Sequence, residues 1–325
     1  MNTLICPECR NRLKIGKKVF CDKCQRTYER NKHGIILFLD KTDSFYDGKF
    51  ISVRLLSPRN FKGPLKLFWN LYRRISIDQY EYRFFSRCFK LVQKKIGSLT
   101  ILDIGCGGGN ELLIKHGTVT GIDLSYKSLL NALKIGYSEC YLASVTNLPF
   151  PDESMDIVYS AHLLGHIPIS LKEKAIQEIF RVTRKGGFSI HSIECDSDAL
   201  FFRKAKKYPK LYQKYFLDMY GHYGLEFADK NFERFRKSGF KPLKEINDIN
   251  KSYLRPIESY KVFFDNEYKY KEKYFWFLAK ISKTLSINFG LRGITNFVFG
   301  IFAPLTKILA PISQRDSAKC LYFKP

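Results

Sequence analysis

Four cysteines near the start of the chain stand in two C-x-x-C pairs, Cys6 with Cys9 and Cys21 with Cys24. Each pair can close a tight knuckle, and the eleven residues between them suit a β-hairpin that brings the pairs together. Four thiolates converging tetrahedrally make a structural zinc site with no coordination position left for catalysis. A redox pair would need a βαβ context, which this stretch lacks. A second set lies in LTILDIGCGGGNELLIKHGTVTGIDLS, residues 99–125, where Asp103, Gly105, Gly107 and Gly109 form D-x-G-x-G-x-G. Glycines let a backbone turn sharply and come close to a bound cofactor. Asp123, at the end of the following apolar run, can accept hydrogen bonds from both hydroxyls of a ribose. The third set is His162, His166 and His222, candidate general bases for an acceptor that must lose a proton. Each has a plain alternative as a packed or solvent-facing imidazole.

These residues need a scaffold, and the sequence supplies one. Ile101 to Ile104 reads as a strand ending at Gly105, Asn110 to Lys115 as helical, and Val119 to Ile122 as a second strand closed by Asp123. The pattern continues with helix Tyr126 to Ile135, strand Cys140 to Ala143 and strand Met155 to Tyr159, followed by an amphipathic helix over Lys172 to Arg184 that Gly186 and Gly187 end. Strand Phe188 to Ile193, a helix over 229–238 and strand Phe240 to Ile246 complete it. Ahead of this core, Pro64 to Ser76 and Gln79 to Lys95 read as helices, and residues 41–63 as a linker or flap. The glycine turn alone does not choose between cofactors. Gly105, Gly107 and Asn110 give G-x-G-x-x-N where a nicotinamide site carries a third glycine.

The text downstream separates the readings. LPFPDESMDIVYSAHLLGHI (148–167) and AIQEIFRVTRKGGFSIHSIE (175–194) resemble the class I S-adenosylmethionine-dependent methyltransferases, nearest the branch that includes the ubiquinone and menaquinone methyltransferases. The resemblance covers residues 99–248 and the last few residues. It implies an α/β, Rossmann-like seven-stranded sheet with helices on both faces, in which KCLYFKP (319–325) is the seventh strand, antiparallel between the fifth and sixth. It also implies a cofactor set of Asp103, Gly105, Cys106, Gly107, Asp123, Leu124, Ser144, Val145 and Ala161, and it makes His166 the first choice of base, because the matching position lies near the cofactor methyl. Ser144 departs from the acid that often reaches the adenine amino group there. RTYERNKHGIILFLD resembles the strand that closes zinc-ribbon modules fused to some methyltransferases. The domain plan is then a zinc ribbon at 1–40, linker and lid helices at 41–98, and a methyltransferase domain at 99–325 with insertions at 195–227 and 249–317. A ribbon of this size needs its metal to fold, and separate cores would leave cofactor binding largely intact once the metal is gone.

Composition narrows the partners. The formal net charge is +24, but residues 99–196 carry −3 while 1–40, 41–98 and 197–325 carry +5, +9 and +13. A basic rim around a slightly acidic core suits an anionic partner: nucleic acid, anionic lipid or a phosphorylated carrier. A lysine-rich bias with solvated faces is the plainer account. Nine cysteines, four paired, fit a reducing compartment with one metal site, and MNTLICPEC shows no signal peptide, so a cytoplasmic location is expected. The stretch LSINFGLRGITNFVFGIFAPLTKILAPI, 285–312, has only 14 uncharged residues between Arg292 and Lys307, short of the ~20 that span a bilayer. Pro304 and Pro311 should interrupt any single long helix there. The segment is expected either to pack on the core or to lie peripherally on the inner face of the membrane.

Some acceptors are disfavoured. Tyr159, Ser160, Ala161 and His162 stand where adenine-N6 enzymes carry an Asn-Pro-Pro-Tyr-like run, and there is no Pro-Cys nucleophile of the 5-methylcytosine type. Three classes stay open: an enzyme acting on a small-molecule or lipid-linked acceptor, an RNA methyltransferase that grips its substrate with the ribbon and basic rim, and a non-catalytic cofactor-binding adaptor.

Overall fold

A computed structural model describes residues 3–16, 18–47, 64–76, 79–96, 99–248, 263, 265–287 and 289–325. Strands β5 (Leu99–Ile104), β6 (Gly117–Asp123), β7 (Glu139–Leu142), β8 (Met155–Ala161) and β9 (Thr183–Glu194) are parallel. Strand β11 (Ser317–Phe323) runs antiparallel between β9 and β10 (Lys241–Asp248), as the sequence leads one to expect. The order β7-β6-β5-β8-β9-β11-β10 reverses direction at β5. A crevice opens at the carboxyl ends of strands flanking such a switch point. All seven residues of β8 are buried, which is why MDIVYSA reads as a nearly unbroken apolar run rather than an alternation.

The connecting helices begin and end on local chemistry. Asn110 caps α3 (Glu111–Ile114) by accepting from the Leu112 amide, and Ser125 caps α4 (Tyr126–Ile135) by accepting from the Ser128 amide. Gly136, at φ 113°, takes the left-handed turn that ends α4. Helices α1 (Pro64–Ile75) and α2 (Tyr80–Ile96) form close to where expected, and α2 buries Phe85, Phe89 and Val92 against the face of β5 and β8. Helices α5 (Ile169–Val182) and α8 (Ala228–Lys237) cover the other face.

The four-cysteine segment expected to form a zinc ribbon does not pack apart from the sheet. Its strands β1 (Lys14–Ile15), β2 (Val19–Phe20), β3 (Thr27–Arg30) and β4 (Ile36–Leu37) extend the main sheet, because β4 pairs in parallel with β7. Leu4, Cys6, Val19 and Tyr28 share one apolar cluster with Tyr141, Phe150 and Leu164. The expectation of separate cores is therefore corrected: a hairpin this small buries its apolar face against a larger neighbour. All nine thiols are free.

The insertion after β9 carries α6 (Leu200–Lys206), α7 (Pro209–Tyr212) and a π-helical turn at Gln213–Asp218. It shares a small core with the second insertion, where Phe202, Leu211 and Phe216 pack with Phe263, Tyr268 and Phe275. The second insertion holds α9 (Asn266–Lys271), α10 (Lys273–Ile287) and α11 (Phe289–Leu309). Pro304 lies inside α11 without ending it, contrary to the sequence expectation. The amide that Pro304 lacks would have paired with the carbonyl of Gly300, a residue buried against Ile75 and Ser76.

Candidate functional site

The Cys6-to-Cys24 cluster assembles as expected. Each C-x-x-C is followed by a residue in the left-handed region, Arg10 and Gln25, both at φ 58°, which closes the two knuckles alike. Cys6 Sγ lies 3.5 Å from Cys24 Sγ, and Cys9 Sγ 3.4 Å from Cys21 Sγ. All four sulfurs lie within 4.8 Å of one another, against about 3.8 Å between thiolates on a tetrahedral zinc. Burial would push the Cys6 thiol up, but hydrogen bonds from Tyr28 and from the Cys9 and Glu8 amides hold it down at about 7. Cys9 and Cys24 shift the other way: against hydrogen bonds from the Asn11 and Arg26 amides, burial and their sulfur neighbours push them up, so the four thiols share their protons unevenly.

The glycine turn opens into a cavity of about 690 Å³ at the carboxyl ends of β5, β6 and β8. Gly105 and Gly107 take φ 64° and 53°, and a Cβ on Gly105 would lie 2.7 Å from Leu163 Cδ1. Side chains are excluded there on both conformational and steric grounds. Asp123 holds the turn in place: Oδ2 accepts from the Gly107 amide at 2.8 Å and Oδ1 from the Ser125 amide at 2.8 Å. Burial nonetheless pushes its carboxyl up. Each oxygen keeps a lone pair for a second donor, as a ribose diol requires.

Gly105, Cys106, Gly107, Asp123, Leu124, Ser144, Val145 and Ala161 all line this cavity. Asp103 does not. It is 2% exposed, behind the turn, where Tyr137 Oη donates to Oδ2 at 2.6 Å and in turn accepts the Asn110 amide at 2.9 Å. Its place in the fold is that of a brace for the loop. Ser144 Oγ lies 2.8 Å from Thr146 Oγ1 and accepts from the Thr146 amide, so it shapes the rim.

The three histidines converge at the other end of the cavity, and the residue that gathers them is Glu194, at the tip of β9. His222 Nε2 lies 3.0 Å from Glu194 Oε2, His166 Nε2 3.5 Å from the same oxygen, and His162 Nδ1 3.6 Å from Oε1. His162 adopts φ 59°, a conformation costly for a side-chain-bearing residue, and its Nε2 also reaches Glu81 of α2 at 3.2 Å. Sequence reasoning did not single out Glu194, although its position at the carboxyl end of the strand beside the switch point was a signal. It also missed Asp43, Phe45 and Tyr46, which line the cavity from the segment after the ribbon. That segment is pinned there: the Thr42 hydroxyl and the Asp43 amide both donate to the Leu124 carbonyl, at 2.9 and 3.0 Å.

Residues 102–191 match the family described as Methyltransferase domain. The doubly wound sheet is a Rossmann-like methyltransferase fold, and the match falls on the core strands that carry the cavity. An uncharacterized methyltransferase of Schizosaccharomyces pombe is 32% identical over 132 residues, 35% of this chain and 44% of that protein. A ubiquinone biosynthesis O-methyltransferase of Paracidovorax citrulli is 34% identical over 102 residues, 28% of this chain and 42% of that protein. The chain spans about half the length, or less, of the curated relatives it matches. Among solved structures, Haemonchus contortus phosphoethanolamine N-methyltransferase 2 aligns over 79% of this chain and 56% of its own, at 19% identity and a TM-score of 0.47.

Proposed function

We propose that the protein transfers the methyl group of S-adenosylmethionine to a small or lipid-linked acceptor, with Cys6, Cys9, Cys21 and Cys24 holding a structural zinc. The observation that carries the reading is one cavity with a ribose-binding acid, Asp123, at one end and a histidine cluster at the other. The cofactor would lie over the glycine turn, its adenosine toward Ser144 and Val145. Methyl transfer is an in-line displacement in which the sulfonium leaves as a neutral thioether. Positioning and exclusion of water supply most of the rate enhancement. A base is needed only where the acceptor must lose a proton, and His166, His162 and His222 are the candidates for it.

The lipid-linked branch of this reading rests on the helical layer. Tyr72 of α1 stacks on Phe297 of α11 at 6.2 Å, and the two helices leave Leu67, Phe68, Ile301, Phe302 and Ile308 exposed, Ile308 by 80%. No helix among the described residues is long and apolar enough to cross a membrane. Apolar helices flanked by a basic rim instead suit contact with the surface of an anionic bilayer. Incubating the protein with methyl-labelled S-adenosylmethionine and, separately, a total lipid extract and total RNA tests the assignment. Label in the lipid phase supports it, and label in RNA would move the function to the nucleic-acid reading. Cofactor binding with no transfer to lipid, RNA or a small-molecule extract would leave an adaptor.

A further inference from the structure

The histidine cluster has the make-up of a metal centre separate from the four-cysteine site. One ring nitrogen each of His166 and His222 and a Glu194 carboxylate oxygen lie within 4.8 Å of one another, and both Nε2 atoms face Glu194 Oε2. A divalent ion bound at about 2.1 Å sets its ligand atoms about 3.0 Å apart in an octahedral site and about 3.4 Å apart in a tetrahedral one. The pairs His222–Glu194 at 3.0 Å and His166–Glu194 at 3.5 Å bracket those spacings. One outer contact also fits. His166 Nδ1 sits 3.0 Å from the Gly221 carbonyl, to which an Nδ1–H donates, leaving Nε2 to face the cluster. A ligating imidazole characteristically has its other nitrogen fixed in this way.

The fold brings the three residues together by close backbone approach. The Gly224 amide donates to the Gly165 carbonyl at 2.9 Å, and a Cβ on Gly224 would collide with the Ile167 carbonyl oxygen. A Cβ on Gly165 would lie 3.1 Å from Glu194 Cβ. Three elements that are distant in sequence are thereby locked within reach of one ion, in surroundings that bury His222 to 7% exposure.

We propose that His166, Glu194 and His222 bind a divalent cation of the manganese, iron, cobalt or zinc type, whose open positions face the cavity and take a hydroxyl oxygen of the methyl acceptor. Two imidazoles and one carboxylate suit those metals, whereas the four thiolates of the ribbon select softer or tetrahedral ions. The metal site stands by itself; the role given to the acceptor hydroxyl rests on the methyl-transfer reading. In that role the ion replaces His166 and His222 as the activating group, since it would occupy their ring nitrogens: it favours the alkoxide or phenoxide form, and the hydroxyl proton passes to solvent. The oxygen lone pair forms the C–O bond while the C–S bond breaks, and its electron pair stays on the thioether sulfur.

The test uses the full chain, reduced, stripped of loosely held metal and free of cofactor. Mn²⁺ is titrated in and followed by loss of the free-ion electron paramagnetic resonance signal. The expected result is one Mn²⁺ per chain, spin-echo modulation from imidazole nitrogens in the bound ion, and at least tenfold weaker binding by Glu194→Gln. His166→Gln serves as a second variant, and each variant is checked for a wild-type circular dichroism spectrum and cooperative urea unfolding to show that it is folded. Wild-type protein that binds S-adenosylmethionine but no Mn²⁺, or bound Mn²⁺ without nitrogen modulation, would overturn the site. Intact metal binding in a protein that transfers no methyl group would instead overturn only the methyl-transfer reading.

Discussion

Ile36, just past the four-cysteine hairpin, pairs in parallel register with Tyr141 of the third core strand, so that hairpin is an edge of the main sheet. The chain leaves that pairing directly into Phe38, which is hydrogen-bonded to the Leu142 carbonyl, and then into Asp43, Phe45 and Tyr46 of the cofactor cavity. Cys24 thus stands 19 residues before Asp43 on a path that pairs with β7 and hydrogen-bonds to Leu124.

This path sets the first prediction. Cys21→Ser, or chelation of the wild type, should lose the metal and also weaken S-adenosylmethionine by roughly tenfold, about 1.4 kcal/mol. The loss comes from freeing the Thr42 and Asp43 hydrogen bonds to Leu124. Metal analysis and calorimetry on the same samples check it; full affinity in metal-free protein would show that the ribbon and the cavity are uncoupled.

Asp123→Ala removes the acceptor of two backbone amides and of the expected ribose hydroxyls. Cofactor affinity should fall by roughly 1–3 kcal/mol. Asp123→Asn should recover part of the loss, because one amide oxygen can still accept. Calorimetry with S-adenosylmethionine and with its demethylated product should give the same ranking for both ligands.

Much of this site was legible because cofactor chemistry is local in sequence. Asp123 ends its strand, Gly105 and Gly107 sit in one turn, and the core sheet follows from apolar runs with glycine punctuation. The four cysteines announce themselves by spacing. What the sequence hid is long-range. Nothing in ILFLD says that Ile36 and Leu37 will pair with β7, because an apolar run closing a small hairpin serves a separate core equally well. Glu194 and His222 are 28 positions apart and meet only because Gly224 lets one backbone lie on another. Asp103 had the right motif position but faces Tyr137, a partner 34 residues away.

A buried ion pair anchors the insertion that carries His222. Lys172 of α5 is fully buried, 2.9 Å from Glu226 and 3.0 Å from Asn231, and Glu226 also meets Arg234 at 2.8 Å. Burial pushes the Lys172 ammonium down, while hydrogen bonds from Arg234 and Lys172 outweigh the burial of Glu226 and hold its carboxyl low. Glu226→Ala should cost roughly 3–5 kcal/mol by leaving a buried cation uncompensated. Pairing it with Lys172→Met should restore a large part of that. Urea unfolding of the three variants measures the coupling, and a double variant no more stable than Glu226→Ala would refute it.

His191 gives the pH prediction. It is fully buried in β9, its two ring nitrogens engaged by the hydroxyls of Ser160 and Ser189 and its ring 4.8 Å from Phe235. Burial pushes its pKa down from 6.5 to about 3. The folded state therefore refuses a proton that the unfolded chain accepts. Its contribution to stability is fully present above pH 6.5 and is lost as pH falls from there toward 3, by about 1.4 kcal/mol per pH unit. Between pH 6.5 and 5, before most carboxylates titrate, this amounts to roughly 2 kcal/mol. His116 is also pushed down by burial and adds a pH dependence of the same sign, so the difference between proteins is the informative quantity. His191→Gln keeps a hydrogen-bonding side chain but cannot take up the proton. It should start less stable at pH 7.5 and then lose stability with acid more slowly than the wild type, by about one proton's worth of slope. Urea unfolding at half-unit pH steps reads both slopes. Parallel lines for the two proteins would mean that His191 takes up its proton equally well in the folded and unfolded chain.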